Sequence, residues 1–179
     1  MSAHQTPERD WPRLPERAAL DWRIGGLADS ASVAMLAERA FEPHFREAWT
    51  ESQIAALLVT SGAWLDLGHE RLGAHESHGG PELAAFAMSR QTFDDVELLL
   101  CAVAPERRGA GDGRLLILQV AGSARARGAR RLFLEVRSSN LPALSLYRST
   151  GFKVEGRRPG YYRTLSGESI DAITLSLTL

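Results

Sequence analysis

The run DDVELLLCAVAP, residues 94–105, is apolar almost without interruption and stops at Pro105. Such a strand has no face to show to water, so the chain must place helices on both sides of the sheet that holds it. It leads through Glu106, Arg107 and Arg108 into Gly109, Ala110, Gly111, Asp112 and Gly113, and a helical pattern then runs from Gly113 to about Arg127. Glycines at alternate positions 109, 111 and 113 let backbone approach a phosphate closely and aim several N–H groups at it. The helix start adds unpaired donors and the positive end of a dipole. Arg107, Arg108 and Arg114 add charge. The bland alternative is a tight strand-to-helix turn with solvated arginines.

Two phosphate motifs do not fit. A Walker A loop needs Lys followed by Ser or Thr after its last glycine, and here Arg114 and Leu115 follow Gly113. The G-x-G-x-x-G spacing of a dinucleotide fold is also missing.

Elsewhere the pattern is that of one α/β domain. Val33, Leu36, Ala37 and Ala40 form a helical stripe after a cap at Asp29 or Ser30, and Thr50 with Gln53 makes a capping box ahead of Ile54, Leu57 and Leu58. Short strands are expected at Ala63–Gly68 and Glu82–Arg90, joined by the glycine- and histidine-rich loop GHERLGAHESHGG. After the glycine turn and its helix come the strand RRLFLEVR, a helix from Asn140 to Thr150 closed by Gly151, and a strand from Phe152 broken by Gly156, Pro159 and Gly160. Ile173, Leu175, Leu177 and Leu179 alternate with polar residues in a last strand. Residues 1–20 are read as a loose arm and 21–179 as the domain.

Composition narrows the function. The 179 residues are 44% hydrophobic and 24% charged with a net charge of -1, which excludes a disordered chain and a uniformly basic nucleic-acid-binding surface. The 25 residues from Arg107 to Arg131 nevertheless hold seven Arg against one Asp, so an anion is expected there. No run is long and apolar enough to span a membrane, residues 1–23 lack a secretory pattern, and a single cysteine, Cys101, can form no internal disulfide; the expected location is the cytoplasm.

Arg108-Gly109-Ala110-Gly111-Asp112-Gly113, behind a strand and Pro105, resembles the R/Q-x-x-G-x-G/A signature of the GNAT superfamily of N-acetyltransferases. LEVRSSNLPALSLYRSTGF, residues 134–152, resembles the second acetyl-CoA segment of that superfamily, in detail its RimI-type ribosomal-protein alanine N-acetyltransferases. The likeness extends to HFREAWTE (44–51), to Glu97 and to GRRPGYYRTLSGESIDAITLSL (156–177).

The resemblance implies a GNAT fold, a central mixed sheet splayed in the middle and flanked by helices on both faces. It implies a pantetheine arm along Cys101, Ala102 and Val103, with pyrophosphate on the amides of Arg108, Gly109, Ala110, Gly111, Asp112, Gly113 and Arg114 and a further contact from Asn140 and Tyr147. Glu135 would be the general base and Tyr147 the general acid, with Glu97, Tyr161 and Tyr162 on the acceptor side. The implied substrates are acetyl-CoA, released as CoA, and the N-terminal peptide of a protein, by resemblance alanine of a small-subunit ribosomal protein; no metal, membrane or direct nucleic-acid partner is expected. A small-molecule amine or a lysine side chain is the alternative acceptor, and a non-catalytic acyl-CoA-sensing module the alternative class.

Each residue also has a plainer reading. Glu135 could pair with Arg137 at a strand end, Tyr147 could pack over the sheet, Asn140 could cap its helix, and Glu97 could pair with an arginine. Cys101 reads as a packed small residue, and His69, His75, His78, Glu70 and Glu76 as a solvated loop without metal-site spacing. Arg157, Arg158, Tyr161 and Tyr162 could suggest RNA, but their place in the pattern suggests a wall of a peptide groove. Asp112 stands where relatives carry an apolar residue. An acid there is unwelcome beside a pyrophosphate unless its side chain faces away.

Overall fold

The computed structural model describes residues 20–71 and 82–179. Its strands are β1 (Leu20–Gly25), β2 (Ala63–Glu70), β3 (Leu83–Thr92), β4 (Asp95–Val103), β5 (Arg131–Arg137), β6 (Lys153–Arg163) and β7 (Ser169–Thr178), and its helices are α1 (Ser30–Ala40), α2 (Glu51–Leu58), α3 (Asp112–Ala126) and α4 (Leu141–Ser149). They build one sheet in the order β1-β2-β3-β4-β5-β7-β6, antiparallel except for the central β4–β5 pair.

The apolar run is β4, and it is covered on both faces as its composition demands. On one side Val33, Leu36 and Ala37 of α1 and Ile54 of α2 pack on Leu65, Leu67, Phe86, Met88, Leu100 and Ala102. On the other, Leu116, Ile117 and Val120 of α3 and Leu144 and Tyr147 of α4 pack on Ala85, Ala87, Val96, Leu98, Leu132, Leu134 and Leu175. Alternation along β4 changes sides in the middle. Val96 and Leu98 point toward α3 and α4, whereas Leu100 and Ala102 point toward α1 and α2. The cause is a bulge: the register passes from Met88↔Leu100 to Ser89↔Leu98, which leaves Leu99 without a counterpart on β3. Cys101 and Val103 are thereby aimed at the α3/α4 side.

The parallel ladder ends at the same level. It runs from Asp95↔Arg131 to Leu98↔Leu134 and stops, although both strands continue. β4 stays paired with β3 as far as Val103, and β5 with β7 as far as Arg137, so the two strands part and open a gap between their ends.

Local signals in the sequence are realised closely. Thr50 Oγ1 accepts from the Gln53 N–H at 3.3 Å and Gln53 Oε1 from the Thr50 N–H at 2.9 Å, the reciprocal capping box of α2. Asp29 stands at the N-cap of α1, but its carboxylate is turned to the Gly26 N–H and Arg23 rather than to the helix. Two elements differ from expectation. β1 is an added edge strand that no clear alternation announced, and β6 is continuous where Gly156, Pro159 and Gly160 suggested a break. As the outer strand, β6 takes up those residues in register shifts at Val154/Gly156 and Arg158/Tyr162, and an edge position tolerates a proline that cannot donate. Residues 1–19, and residues 72–81 with His75, His78 and Glu76, lie outside the described residues. Among the described residues no helix is long and apolar enough to cross a membrane.

Leu132 is fully buried where β4 and β5 still pair. Leu132→Ala should lower the unfolding free energy by about 2–5 kcal/mol, read from the urea midpoint at constant slope.

Candidate active site

The glycine turn hangs between two braced ends. Pro105–Arg107 form a short 3-10 turn, Gly109 and Gly111 follow with φ of 79° and 98°, and α3 starts at Asp112. Apart from the adjoining residues, nothing lies within 4 Å of where a Cβ would stand at Gly109 or Gly111, so backbone angle rather than crowding demands glycine there, and the space in front of the turn is open. Gly113 is different: a Cβ would come within 3.1 Å of Leu146 Cδ2, and its absence lets α4 close against the start of α3.

Asp112 is fully buried and faces away from this open side. Its Oδ2 accepts from Arg107 Nε at 2.5 Å, while Arg107 Nη1 donates to Glu70 Oε1 at 2.8 Å. Arg107 is therefore behind the turn and not before it. Arg39 holds Glu106 at 2.7 Å, the Arg108 guanidinium donates to the Ala40 carbonyl, and Arg114 Nη1 donates to the Ser149 carbonyl at 3.3 Å.

A cleft of about 690 Å³ starts at this turn and follows the gap between β4 and β5. Arg108, Gly109, Gly111, Gly113 and Arg114 line one end, Cys101, Ala102 and Val103 the wall, and Asn140 and Tyr147 the α4 side. Ala110 is exposed on the crest of the turn, and neither it nor Asp112 is part of the lining. Asn140 does cap α4, its Oδ1 accepting from the Ala143 N–H at 3.2 Å. The Tyr147 hydroxyl stands 3.5 Å from Cys101 Sγ. Burial, reinforced by Cys101, pushes the Tyr147 phenol well above its ordinary value, so it keeps its proton at neutral pH. Burial also raises the Cys101 thiol, and the Tyr147 hydrogen bond offsets part of that, which suits a packed residue and not a thiolate nucleophile.

The remaining candidates sit on the opposite face of the sheet. Leu134 and Val136 enter the α3/α4 core, so Glu135 points to the other side. Its Oε1 accepts from Arg158 Nη1 at 2.8 Å, and the Arg158 guanidinium lies 4.0 Å over the Tyr161 ring. Tyr161 meets Tyr162 edge to face at 5.1 Å. The Tyr162 phenol is raised by burial first and then by Glu47 and Glu135, which places both carboxylates near it. Glu97 lines a separate depression with Arg90, Asp95 and Phe133 and accepts from Arg90 Nη2 at 3.2 Å. Glu97, Glu135, Tyr161 and Tyr162 are thus outside the lining of the main cleft, across the sheet from Tyr147.

The pairing of Glu135 with Arg137 is not found. Arg137 instead donates from Nε to Glu47 Oε1 at 2.6 Å and lies 3.4 Å over the Phe45 ring. This unit escaped the sequence because Glu47 and Arg137 are 90 residues apart and follow no local period. The one hint was the HFREAWTE segment. Arg46, with φ of 55°, turns the chain there so that Glu47 meets β5.

A mixed sheet whose central parallel strands part over a glycine turn and a helix start defines the N-acyltransferase class. The chain belongs to the acetyltransferase (GNAT) family, which matches residues 32–152. It is similar to the [ribosomal protein bS18]-alanine N-acetyltransferase of Escherichia coli (strain K12), 38% identical over 98 residues that make up 55% of this chain and 66% of that one. It is also similar to the streptothricin acetyltransferase of Streptomyces lavendulae, 38% identical over 103 residues, 54% of this chain and 52% of that one. The matched stretch thus spans less than two thirds of either curated relative. The crystal structure of the ribosomal-protein alanine N-acetyltransferase from Escherichia coli is 29% identical, with a TM-score of 0.71 over 88% of this chain and 94% of that one.

Two glycines should respond with opposite sign. Gly111→Ala forces a side chain to φ of 98° and should cost about 1–2 kcal/mol, whereas Gly122→Ala, inside α3 with open space around it, should gain about 0.5–1 kcal/mol. Thermal melts of the two variants check this. The raised thiol and phenols set a base limit: stability is full below the unfolded-chain value of about 8.5 for Cys101 and falls as pH climbs past it and then past about 10 for the tyrosines, because the unfolded chain releases protons that folded Cys101, Tyr147 and Tyr162 retain. Denaturation between pH 8 and 11 should show that fall, and Tyr147→Phe should flatten it.

Proposed function

We propose that this protein transfers the acetyl group of acetyl-CoA to the N-terminal α-amine of a protein, with alanine of a small-subunit ribosomal protein as the acceptor. The observation that carries the reading is the continuity of one cleft from the glycine turn to the buried, protonated Tyr147. The residues fit the substrate. Open αL glycines and a helix start suit a pyrophosphate, Arg108 and Arg114 stand beside it, and the β5-facing edge of Cys101–Val103, beyond the end of the parallel ladder, suits the amides of a pantetheine arm. The buried carboxylate of Asp112 faces Arg107, which removes the electrostatic objection to an acid in this turn.

Acetyl-CoA supplies an activated thioester. The chain's task is to present a neutral amine to it and to protonate the departing sulfur. Glu135 receives the proton of the incoming ammonium, directly or through water, after that ammonium displaces Arg158 from the carboxylate. Tyr147 approaches from the other face of the sheet, and its retained proton is available to the developing thiolate near Cys101. The gap between β4 and β5 is what lets an acid on one face and a base on the other address one carbonyl. Tyr161, Tyr162 and the Glu47–Arg137–Phe45 unit wall the acceptor side.

The likeness to the Escherichia coli enzyme supports the protein acceptor, and the likeness to streptothricin acetyltransferase supports a small amine as the second reading. A mass-spectrometric screen of peptides starting with Ala, other N-terminal peptides, lysine peptides and small amines separates them, because it identifies the modified atom. Glu135→Gln and Tyr147→Phe should each lower kcat/KM by about 10²–10⁴ while acetyl-CoA binding persists. Unchanged rates in both variants would remove their assigned roles.

A further inference from the structure

We propose that the Arg107–Asp112 ion pair is a positioning device that holds the pyrophosphate turn in its binding shape before acetyl-CoA arrives; this rests on the function proposed above. Arg107 closes the short turn after β4 and Asp112 opens α3, so their contact at 2.5 Å staples the two ends of the four intervening residues, Arg108 to Gly111. Two of those four are glycines at positive φ, the residues with the most freedom to lose on ordering. Neither partner of the staple lines the cleft. Arg107 also reaches Glu70 at the end of β2, and Arg39 ties Glu106 to α1, so the turn is braced to the scaffold from behind while its amide side stays open.

Stability alone is a poor reason for this pair. A buried ion pair roughly breaks even against apolar side chains of the same volume, and here one carboxylate oxygen, Asp112 Oδ1, is buried without a hydrogen bond. What the pair adds is a fixed geometry, and fixed geometry lowers the ordering cost of binding an anion. An acid held 0% exposed and facing an arginine also places its charge away from the phosphate side.

The test compares two thioesters on the full chain. S-acetylpantetheine carries the acetyl group and the pantetheine arm but no pyrophosphate. Asp112→Asn should raise Kd and KM for acetyl-CoA about tenfold, leave kcat within about twofold, and leave kcat/KM for S-acetylpantetheine unchanged. Arg107→Gln, at a partly solvated side chain, should do the same and supplies the measurement should Asp112→Asn fold poorly. The double variant should lose no more than either single one, since the staple is lost only once. Equal losses on both thioesters, additive losses in the double variant, or tighter acetyl-CoA binding once the acid is removed would each overturn the proposal. Failure of the parent reading looks different: the unaltered protein would then take up no acetyl-CoA in calorimetry.

Discussion

Strands β4 and β5 share a parallel ladder for only four residue pairs and then separate, while each stays hydrogen-bonded to its outer neighbour. That parting is the constraint on which the rest of the molecule depends. It leaves inward-facing backbone groups without strand partners in the middle of a sheet, where unpaired polar groups are costly. It gives the cleft its floor, and α3 and α4 roof it because Gly113 lets Leu146 come close. It also separates two strands between the faces of the sheet: Tyr147 lines the cleft on one face, and Glu135 stands one residue past the end of the parallel ladder, turned to the other. The bulge at Leu99 sits at the same level and turns Cys101 toward Tyr147.

Charge is distributed with similar economy. Of the arginines between 107 and 131, Arg107 is committed to Asp112 and Glu70, Arg130 to Asp94, Arg131 to Asp95, and Arg127 to the Ser123 carbonyl and the Trp64 ring. Only Arg108 and Arg114 of this group line the cleft, and each donates to a carbonyl, at Ala40 and Ser149. An anion placed at this turn would therefore meet mainly oriented amides, with two tethered guanidiniums beside them. The excess of arginine surrounds the glycine turn, but most of its charge serves to fasten elements together.

Local chemistry was legible in the sequence and long-range geometry was not. The capping box of α2, the Asn140 cap and the glycine turn depend on neighbours within a few residues, and the need for cover on both faces of β4 is written in its own apolar run, so periodicity and residue type suffice to place them. The direction of the Asp112 carboxylate depends on Arg107 being aimed backward by a single turn, and the Glu47–Arg137 pair joins segments far apart in the chain; no short pattern encodes either. Glycine and proline argue against a strand in general, and only the outer position of β6 makes them acceptable there. For Glu135 the sequence offers a general base or a strand-end charge paired with Arg137, whereas the carboxylate pairs with Arg158, brought over from an edge strand whose irregular register no short pattern encodes.

The bulge in β4 also restricts how this protein can change over time. Because alternation reverses at Leu99, the side chains before and after it answer to different helical layers. Loss of Leu99 itself would erase the bulge and leave plain alternation, with Cys101 and Val103 still on the α3/α4 side, whereas an extra residue just beyond the bulge would send them into the α1/α2 layer and bring Leu100 and Ala102 to the other side. Divergence in this segment is therefore open to substitution and to a change of length only at the bulge, so the parity of the strand on either side of Leu99 is a firmer inheritance than its composition.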